Sequence, residues 1–245
     1  MSFNYIHYTE VDSTNKEAKR YVSEGGEIPA MIISDRQTAG KGRMGRRFFS
    51  SDIGGLYMTI VLKAPPENVF MRATALAAVC TVDSLRELFG VETQIKWVND
   101  IFYKSKKLGG ILAESFFIDD ERYVAVGFGI NLHVVSFPPE LKNIAISLFS
   151  SYPNEEEQYR IKKELSDRIA DKFYAAVQSG EIGEIMKKYR EGCIVINKWV
   201  TFTEGNKQIS AFAFDVTDDG ALAVRLSDGS VRYLRSGEIS VKLVP

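Results

Sequence analysis

The stretch 93-TQIKWVNDIFYKSKKLGGILAESFFIDDERYVAVGFGINL-132 holds four strand-like runs in series, at 93–97, 101–103, 108–117 and 123–132. So many consecutive runs predict an antiparallel sheet backed by helices. Working outward toward the N-terminus, 5–8 alternates loosely as a short strand, 29–34 (PAMIIS) has the look of a buried strand, and Gly55–Lys63 is an apolar and aromatic strand. Between the first two, Asp12-Ser13-Thr14-Asn15 supplies N-cap candidates for a helix carrying Ala18, Tyr21 and Val22, stopped at Gly25-Gly26. Residues 68–89 place Val69, Ala73, Leu76, Ala77, Cys80, Val82 and Leu85 on one wide helical stripe closed by Gly90.

Toward the C-terminus, the polar turn 150–157 (SSYPNEEE) enters a helix through Tyr159, Ile161, Leu165, Ile169, Phe173 and Val177, and a shorter helix spans 181–191. The run Glu155-Glu156-Glu157 suits a solvated helix N-terminus favoured by the helix dipole. Beyond Gly192 the pattern changes to short alternating strands at 199–203, 209–216, 222–226 and 231–234. Their turns are Glu204-Gly205-Asn206, Asp218-Asp219-Gly220 and Ser227-Asp228-Gly229. Such a series suits a small barrel, so a domain boundary is expected near 190, with a catalytic domain at 1–190 and a small β-barrel domain at 191–245.

The 245 residues are 45% hydrophobic and 26% charged, enough for an ordinary core, and 31 basic against 32 acidic residues leave a net charge of −1. Nothing global draws the chain to nucleic acid or an anionic membrane. The start lacks a signal-peptide pattern and no apolar run approaches a membrane span, so a cytoplasmic location is the expectation. Two cysteines, Cys80 and Cys193, and two histidines, His7 and His133, are too few for a disulfide framework or a transition-metal site, and all four are expected to be structural. Trp97 and Trp199 are expected to pack in the core.

The stretch 38-TAGKGRMGRRFFS-50 concentrates Lys41, Arg43, Arg46 and Arg47 among Gly40, Gly42 and Gly45, just after the second strand. Close cationic pairs repel by roughly 1 kcal/mol each in water, so an empty loop is expected to stay open and mobile. A bound anion reverses that, since glycines let the backbone approach a phosphate and Arg grips its oxygens bidentately. The plainer alternative is a solvated charged loop. The spacing is neither the phosphate loop of kinases and ATPases nor a dinucleotide fingerprint. In 96-KWVNDIFYKSKKLGGIL-112, Asn99-Asp100 occupies a turn position, and Lys107 precedes Gly109-Gly110. These residues suit a plain hairpin; equally, a Lys beside glycines at a buried strand edge can place one point charge against a carboxylate or phosphoryl group.

Taken together these stretches closely resemble the biotin protein ligase family. Its landmarks occur in order: Ser13-Thr14-Asn15; Gln37 ahead of GKGRMGR at 40–46; KWVND at 96–100; the K-x-x-G-I-L element at 107–112; and GFGIN at 127–131. Lys41 replaces the usual first Arg, Phe48 stands where an aromatic residue, often Trp, is expected, Val98 replaces Pro, and Ile146 replaces a common Thr. The loss of that hydroxyl leaves Ile146 out of the expected site.

The resemblance implies a class II synthetase-like α+β catalytic domain, its mixed or antiparallel sheet backed by helices, plus a small C-terminal SH3-like β-barrel. It implies an ATP-dependent ligase that converts biotin and ATP, with Mg²⁺ on the phosphates, into biotinyl-5'-AMP and pyrophosphate. Biotin then passes to one lysine of a biotin carboxyl carrier domain, such as that of acetyl-CoA carboxylase. On that basis Lys107 touches both the biotin carboxylate and the α-phosphate, Arg43 and Arg46 close over the adenylate, and Asp100 orients or deprotonates the incoming lysine amine. Ser13, Thr14, Asn15 and Gln37 serve the biotin ureido ring, although Ser13 or Thr14 equally suits a plain helix cap. Asn99 and Asn131 fall on the nucleotide side, Phe48 stacks on or shields adenine, and Gly40, Lys41, Gly42 and Gly110 complete the binding set. Within the family such a barrel assists nucleotide or carrier binding, with Arg235 a candidate. The landmarks begin within the first fifteen residues, so no DNA-binding domain and no sequence-specific DNA binding are expected; a homodimer is allowed. The rival readings are a lipoate or octanoate acyl ligase or transferase of the same fold, and a non-catalytic nucleotide- or nucleic-acid-binding protein.

Overall fold

The computed structural model describes residues 3–50, 54–151, 154–204, 207–235 and 242–243. The chain begins β1 (Asn4–Val11), α1 (Thr14–Ser23), β2 (Ala30–Gln37) and β3 (Gly55–Lys63). Next come α2 (Glu67–Phe70), α3 (Ala73–Phe89), β4 (Gln94–Lys96), β5 (Asp100–Tyr103), β6 (Lys106–Ile118) and β7 (Glu121–Asn131). Two helices, α4 (Glu155–Ser179) and α5 (Ile182–Gly192), lead to β8 (Lys198–Glu204), β9 (Lys207–Val216), β10 (Leu222–Arg225), β11 (Val231–Leu234) and β12 (Lys242–Leu243). The larger sheet has seven strands in the order β1-β2-β3-β7-β6-β5-β4. Only β1 and β2 pair in parallel, and the other neighbours are antiparallel. A five-stranded antiparallel sheet, β11-β10-β9-β8-β12, forms the C-terminal unit. This is the α+β architecture with a small SH3-like β unit expected from the sequence.

The two faces of the large sheet are covered unequally, and that inequality makes the cavity. Side chains alternate along a strand. Leu56, Met58, Ile60 and Leu62 of β3, with Val124, Val126, Phe128 and Ile130 of β7, therefore face α3 and α4 and join the main core. That apolar cluster continues through Met186 and Tyr189 of α5 to Val200, Phe202, Ala211 and Leu222 of the small sheet. On the opposite face α1 covers only one end, where Ala18 and Val22 meet Ala30, Ile32, Val61 and Ala125. Toward the other end of β7 that face carries Gly127, under Asn15 in the first turn of α1, and Gly129, under the Phe48 ring.

Several local expectations needed correction. The single helix expected over 68–89 is broken between α2 and α3, where Arg72 spends its guanidinium on the carbonyls of Asn68 and Asp218. Gly90, at φ +65°, does close α3. Ser13 sits at the N-cap of α1, yet its side chain makes no capping bond; Gln37 Oε1 instead accepts from the Thr14 amide at 2.9 Å. Trp199, expected in the core, lies half exposed on the outer face of β8 against Phe212, because Val200 and Phe202 take the inward positions. The Glu155-Glu156-Glu157 run forms the first turn of α4, with Asn154 capping the Glu157 amide at 2.8 Å. Gly220 and Gly229 hold the expected tight turns at φ +83° and +84°; in the third, Gly205 and Asn206 lie outside the described residues. Among the described residues no helix is long and apolar enough to cross a membrane.

Candidate active site

Over the open end of the α1 face lies a cavity of about 850 Å³. Its lining draws together Ser13, Thr14, Asn15, Gln37, Lys41, Gly42, Arg43, Arg46, Phe48, Asn99, Asp100, Lys107 and Gly110, which are far apart in sequence. Two expected members do not line it. Gly40 is packed behind, where a Cβ would fall 2.8 Å from the Phe48 carbonyl and 2.9 Å from Ser50 Oγ. Asn131 is buried at the end of β7, its amide directed to the Ile146 carbonyl at 3.4 Å.

One wall is a buried polar network. Gln37 Oε1 accepts from both the amide and the hydroxyl of Thr14, at 2.9 and 3.2 Å, and Gln37 Nε2 donates to Ser50 Oγ at 3.1 Å. The Thr59 hydroxyl, fully buried in β3, lies 2.7 Å from Asn15 Oδ1 and 2.9 Å from Thr14 Oγ1. Asn15 Nδ2 donates to Glu114 Oε2 at 2.9 Å and to the Leu112 carbonyl at 3.2 Å. Thr59 and Glu114 were missed from the sequence; a lone Thr in the otherwise apolar 55-GLYMTIVLK-63 was the available signal. The glycines of 127-GFGIN-131 are steric necessities here. A Cβ at Gly127 would collide with Asn15 Oδ1, and one at Gly129 would lie 2.5 Å from the Phe48 ring.

The facing wall is cationic. β4 and β5 form the hairpin expected as the plainer reading, with Lys96 opposite Asp100 and a turn at 97–99. Across it, Lys107 Nζ lies 2.6 Å from Asp100 Oδ1. Gly110 lies directly beside this pair, where a Cβ would sit in ordinary contact, 3.4 Å from Lys107 Nζ and 3.5 Å from Asp100 Oδ1. The backbone of Lys107 is pinned on both sides, its amide to Ile144 O at 2.8 Å and its carbonyl to the Ile146 amide at 3.0 Å. The hairpin and charge readings are thus compatible.

The basic loop is not open, as repulsion alone would have it. It closes as a tight hairpin with a single 3-10 turn at Arg43–Gly45, held by Gly42 N–H to Arg46 O at 2.7 Å and Phe48 N–H to Gly40 O at 2.9 Å. These bonds offset the repulsion. Arg43 turns inward and donates through Nη1 to Asn99 Oδ1 at 3.3 Å, and Asn99 Nδ2 donates to Ile111 O at 2.9 Å. Arg43 Nη2 is buried without a partner among the described residues. Burial holds this guanidinium below its ordinary range, opposed by the charge of Asp100. A buried cationic N–H with a free hydrogen is what an incoming anion would satisfy.

Two family models match the chain: "Biotin/lipoate A/B protein ligase family" over residues 9–131 and "Biotin protein ligase C terminal domain" over 195–242. The chain belongs to the biotin/lipoate protein ligase family. The bifunctional ligase/repressor BirA of Bacillus subtilis is 38% identical over 152 residues, covering 60% of this chain and 47% of that protein. The chain therefore spans about half the length of that relative. The biotin–[acetyl-CoA-carboxylase] ligase of Mycobacterium tuberculosis is 28% identical over 244 residues, covering 92% of this chain and 87% of that one. In fold, the biotin protein ligase of Aquifex aeolicus, solved with biotin and ATP, matches with a TM-score of 0.81 at 24% identity, covering 98% and 99% of the two chains.

The family match encloses the cavity's lining from Ser13 to Gly129, while Leu141, Asn143 and Ile144 join it from beyond. Cys80, Cys193, His7, His133 and Arg235 lie outside the cavity lining. Cys80 and Cys193 are buried away from the cavity, and burial pushes their thiols up to about 12 and about 11, so neither is a thiolate at neutral pH. His7 pairs with Asp35 at 3.1 Å, and His133 Nε2 lies 3.0 Å from the Ser150 carbonyl. Arg235 is engaged by Asp219 at 2.6 Å. Among the described residues no group of three or more His, Cys, Asp or Glu side chains gathers to hold a metal.

Proposed function

We propose that the protein is an ATP-dependent biotin ligase that forms biotinyl-5'-AMP and passes the biotinyl group to a lysine of a biotin carboxyl carrier domain. One observation carries the reading: the Lys107–Asp100 pair and the inward Arg43 face the Thr14–Gln37–Asn15 network across a single cavity. A neutral, hydrogen-bonding wall suits a ureido ring, and a cationic wall suits a carboxylate meeting a phosphate. The named relatives, ligases acting with biotin, support the same choice.

In the first step a biotin carboxylate oxygen attacks the α-phosphorus, the bond from that phosphorus to the bridging oxygen breaks, and pyrophosphate leaves. Lys107 exchanges its contact with Asp100 for the two anions, lowering their mutual repulsion as charge spreads. Arg43 places its unpartnered Nη2 on the phosphate, and the loop excludes water from a hydrolysable anhydride. Mg²⁺ fits as an ion carried in on the phosphates rather than held in a protein cage, since Asp100 is the carboxylate among the lining residues. There it would neutralise the departing pyrophosphate. In the second step the carrier lysine attacks the acyl carbon and AMP leaves; Asp100, once released by Lys107, accepts the amine's proton.

The test is pyrophosphate–ATP exchange by purified protein with biotin, lipoate or octanoate, followed by transfer to a carrier domain. Biotin-dependent exchange and a biotinylated lysine are expected. Exchange with lipoate but not biotin would replace this reading with the acyl-ligase rival, and no exchange with any acid would leave a binding protein.

A further inference from the structure

The turn at 97–99 carries Asn99 and leads into Asp100, and its far side is held from a distant part of the chain. Tyr189 of α5 is fully buried and donates its phenol O–H to the Val98 carbonyl at 2.9 Å. The Trp97 indole N–H donates to the Gly220 carbonyl, in the β9–β10 turn, at 3.0 Å. That turn is itself fixed to α5 and to the α2–α3 junction: Arg190 Nη1 donates to Val216 O at 3.0 Å and pairs with Asp218 at 2.9 Å, and Arg72 donates to the Asp218 carbonyl. Just beyond Tyr189, the Ile194 amide donates to Ile95 O at 2.9 Å, so the hairpin's first strand is braced as well. Tyr189 does not line the cavity.

We infer that Tyr189 is a positioning residue for adenylate formation, holding the 97–99 turn so that Asn99 meets Arg43 and Asp100 meets Lys107. Helix α5 through Tyr189, and the C-terminal sheet through the Trp97–Gly220 bond, act on the first chemical step without touching substrate. The chain of contacts is short: Tyr189 O–H to Val98 O, then along one residue to Asn99 Oδ1, which receives Arg43 at 3.3 Å. A phenol is suited to the task because its rigid ring is locked in the core while its one polar atom reaches the backbone. The biotin-facing network of Thr14, Gln37 and Thr59 lies on the other wall, so loss of the phenol should not reach it.

The inference rests on the ligase reading, and the experiment separates the two. In the full chain, Tyr189→Phe removes the hydroxyl and keeps the ring. Biotin-dependent exchange at saturating substrate, measured well below the melting temperature, should lose about 10-fold or more in kcat, with KM for biotin unchanged. A purely structural role would lower Tm and leave kcat intact in the folded variant, and that result would overturn the inference. Combined with Lys107→Ala, the tyrosine change should add little further loss, because the phenol acts through the placing of that cation; full additivity would overturn it too. Trp97→Phe, which removes the N–H bond to Gly220, carries the test if Tyr189→Phe does not fold: the same kcat loss supports the inference and an unchanged kcat sinks it. Wild-type protein run in parallel decides the other question, since absence of any biotin-dependent exchange there would remove both the reading and the inference.

Discussion

The two walls of the cavity differ in how their polar groups are satisfied. On the α1 wall, Thr14, Asn15, Gln37, Thr59 and Glu114 are bonded to one another and to backbone. On the loop wall, Arg43 spends one N–H on Asn99 and keeps Nη2 buried without a partner among the described residues, while Lys107 is balanced by a single carboxylate. A satisfied network costs nothing to maintain and presents a fixed shape, which suits recognition of a neutral ring. An unsatisfied cation is stabilised only when an anion arrives, which suits a step in which negative charge gathers. On the ligase function proposed above, the difference gives binding to one wall and chemistry to the other.

The sharpest way to break that division is Lys107→Ala. Lys107 is 38% exposed, so the fold should survive, while adenylate formation should fall on the order of 100- to 1,000-fold in pyrophosphate exchange. Adenylation at the wild-type rate would remove Lys107 from the chemistry. Thr59→Val keeps the shape and deletes a buried hydroxyl, leaving Asn15 Oδ1 with one partner fewer. It should cost about 1–3 kcal/mol, visible as a melting temperature lower by roughly 2–4 °C per kcal/mol, and should raise KM for biotin more than it lowers kcat. An unchanged melt and KM would mean the network is not a recognition wall. The smallest effect is expected from Arg43→Ala, which should still make the adenylate but release it about 10-fold faster, the equivalent of one charge-assisted hydrogen bond. Equal retention of the intermediate would show that the loop is no cover.

Much of the site was legible because its chemistry is written locally. The cationic loop, the Lys107-x-Gly109-Gly110 run and Ser13 at the start of a helix each stand out within a few residues, while the roles expected of them came from the resemblance to the ligase family. The misreadings have physical causes of the same kind. Repulsion among Lys41, Arg43, Arg46 and Arg47 suggested an open loop, but backbone bonds between Gly42 and Arg46 and between Gly40 and Phe48 outweigh it. The apolar stripe over 68–89 suggested one helix, but Arg72 breaks it to reach carbonyls of its own turn and of the small sheet. Asn131 carries a family landmark yet faces the 146 backbone, a neighbour no periodicity names.

By itself the sequence determined most of the elements, with one helix expected where α2 and α3 stand and β12 not foreseen, and the side chains that carry charge, because hydrophobic period, turn residues and residue chemistry act over a few positions. Only the tertiary structure decided that Thr59 and Glu114 complete the wall begun by Thr14 and Asn15. It alone decided that Phe48 rests on Gly129, and that Tyr189 and Gly220 grip the turn beside Asn99. Those meetings depend on strand order and register across a seven-stranded sheet and on where a second sheet docks, and pairings between distant segments leave no local pattern to read.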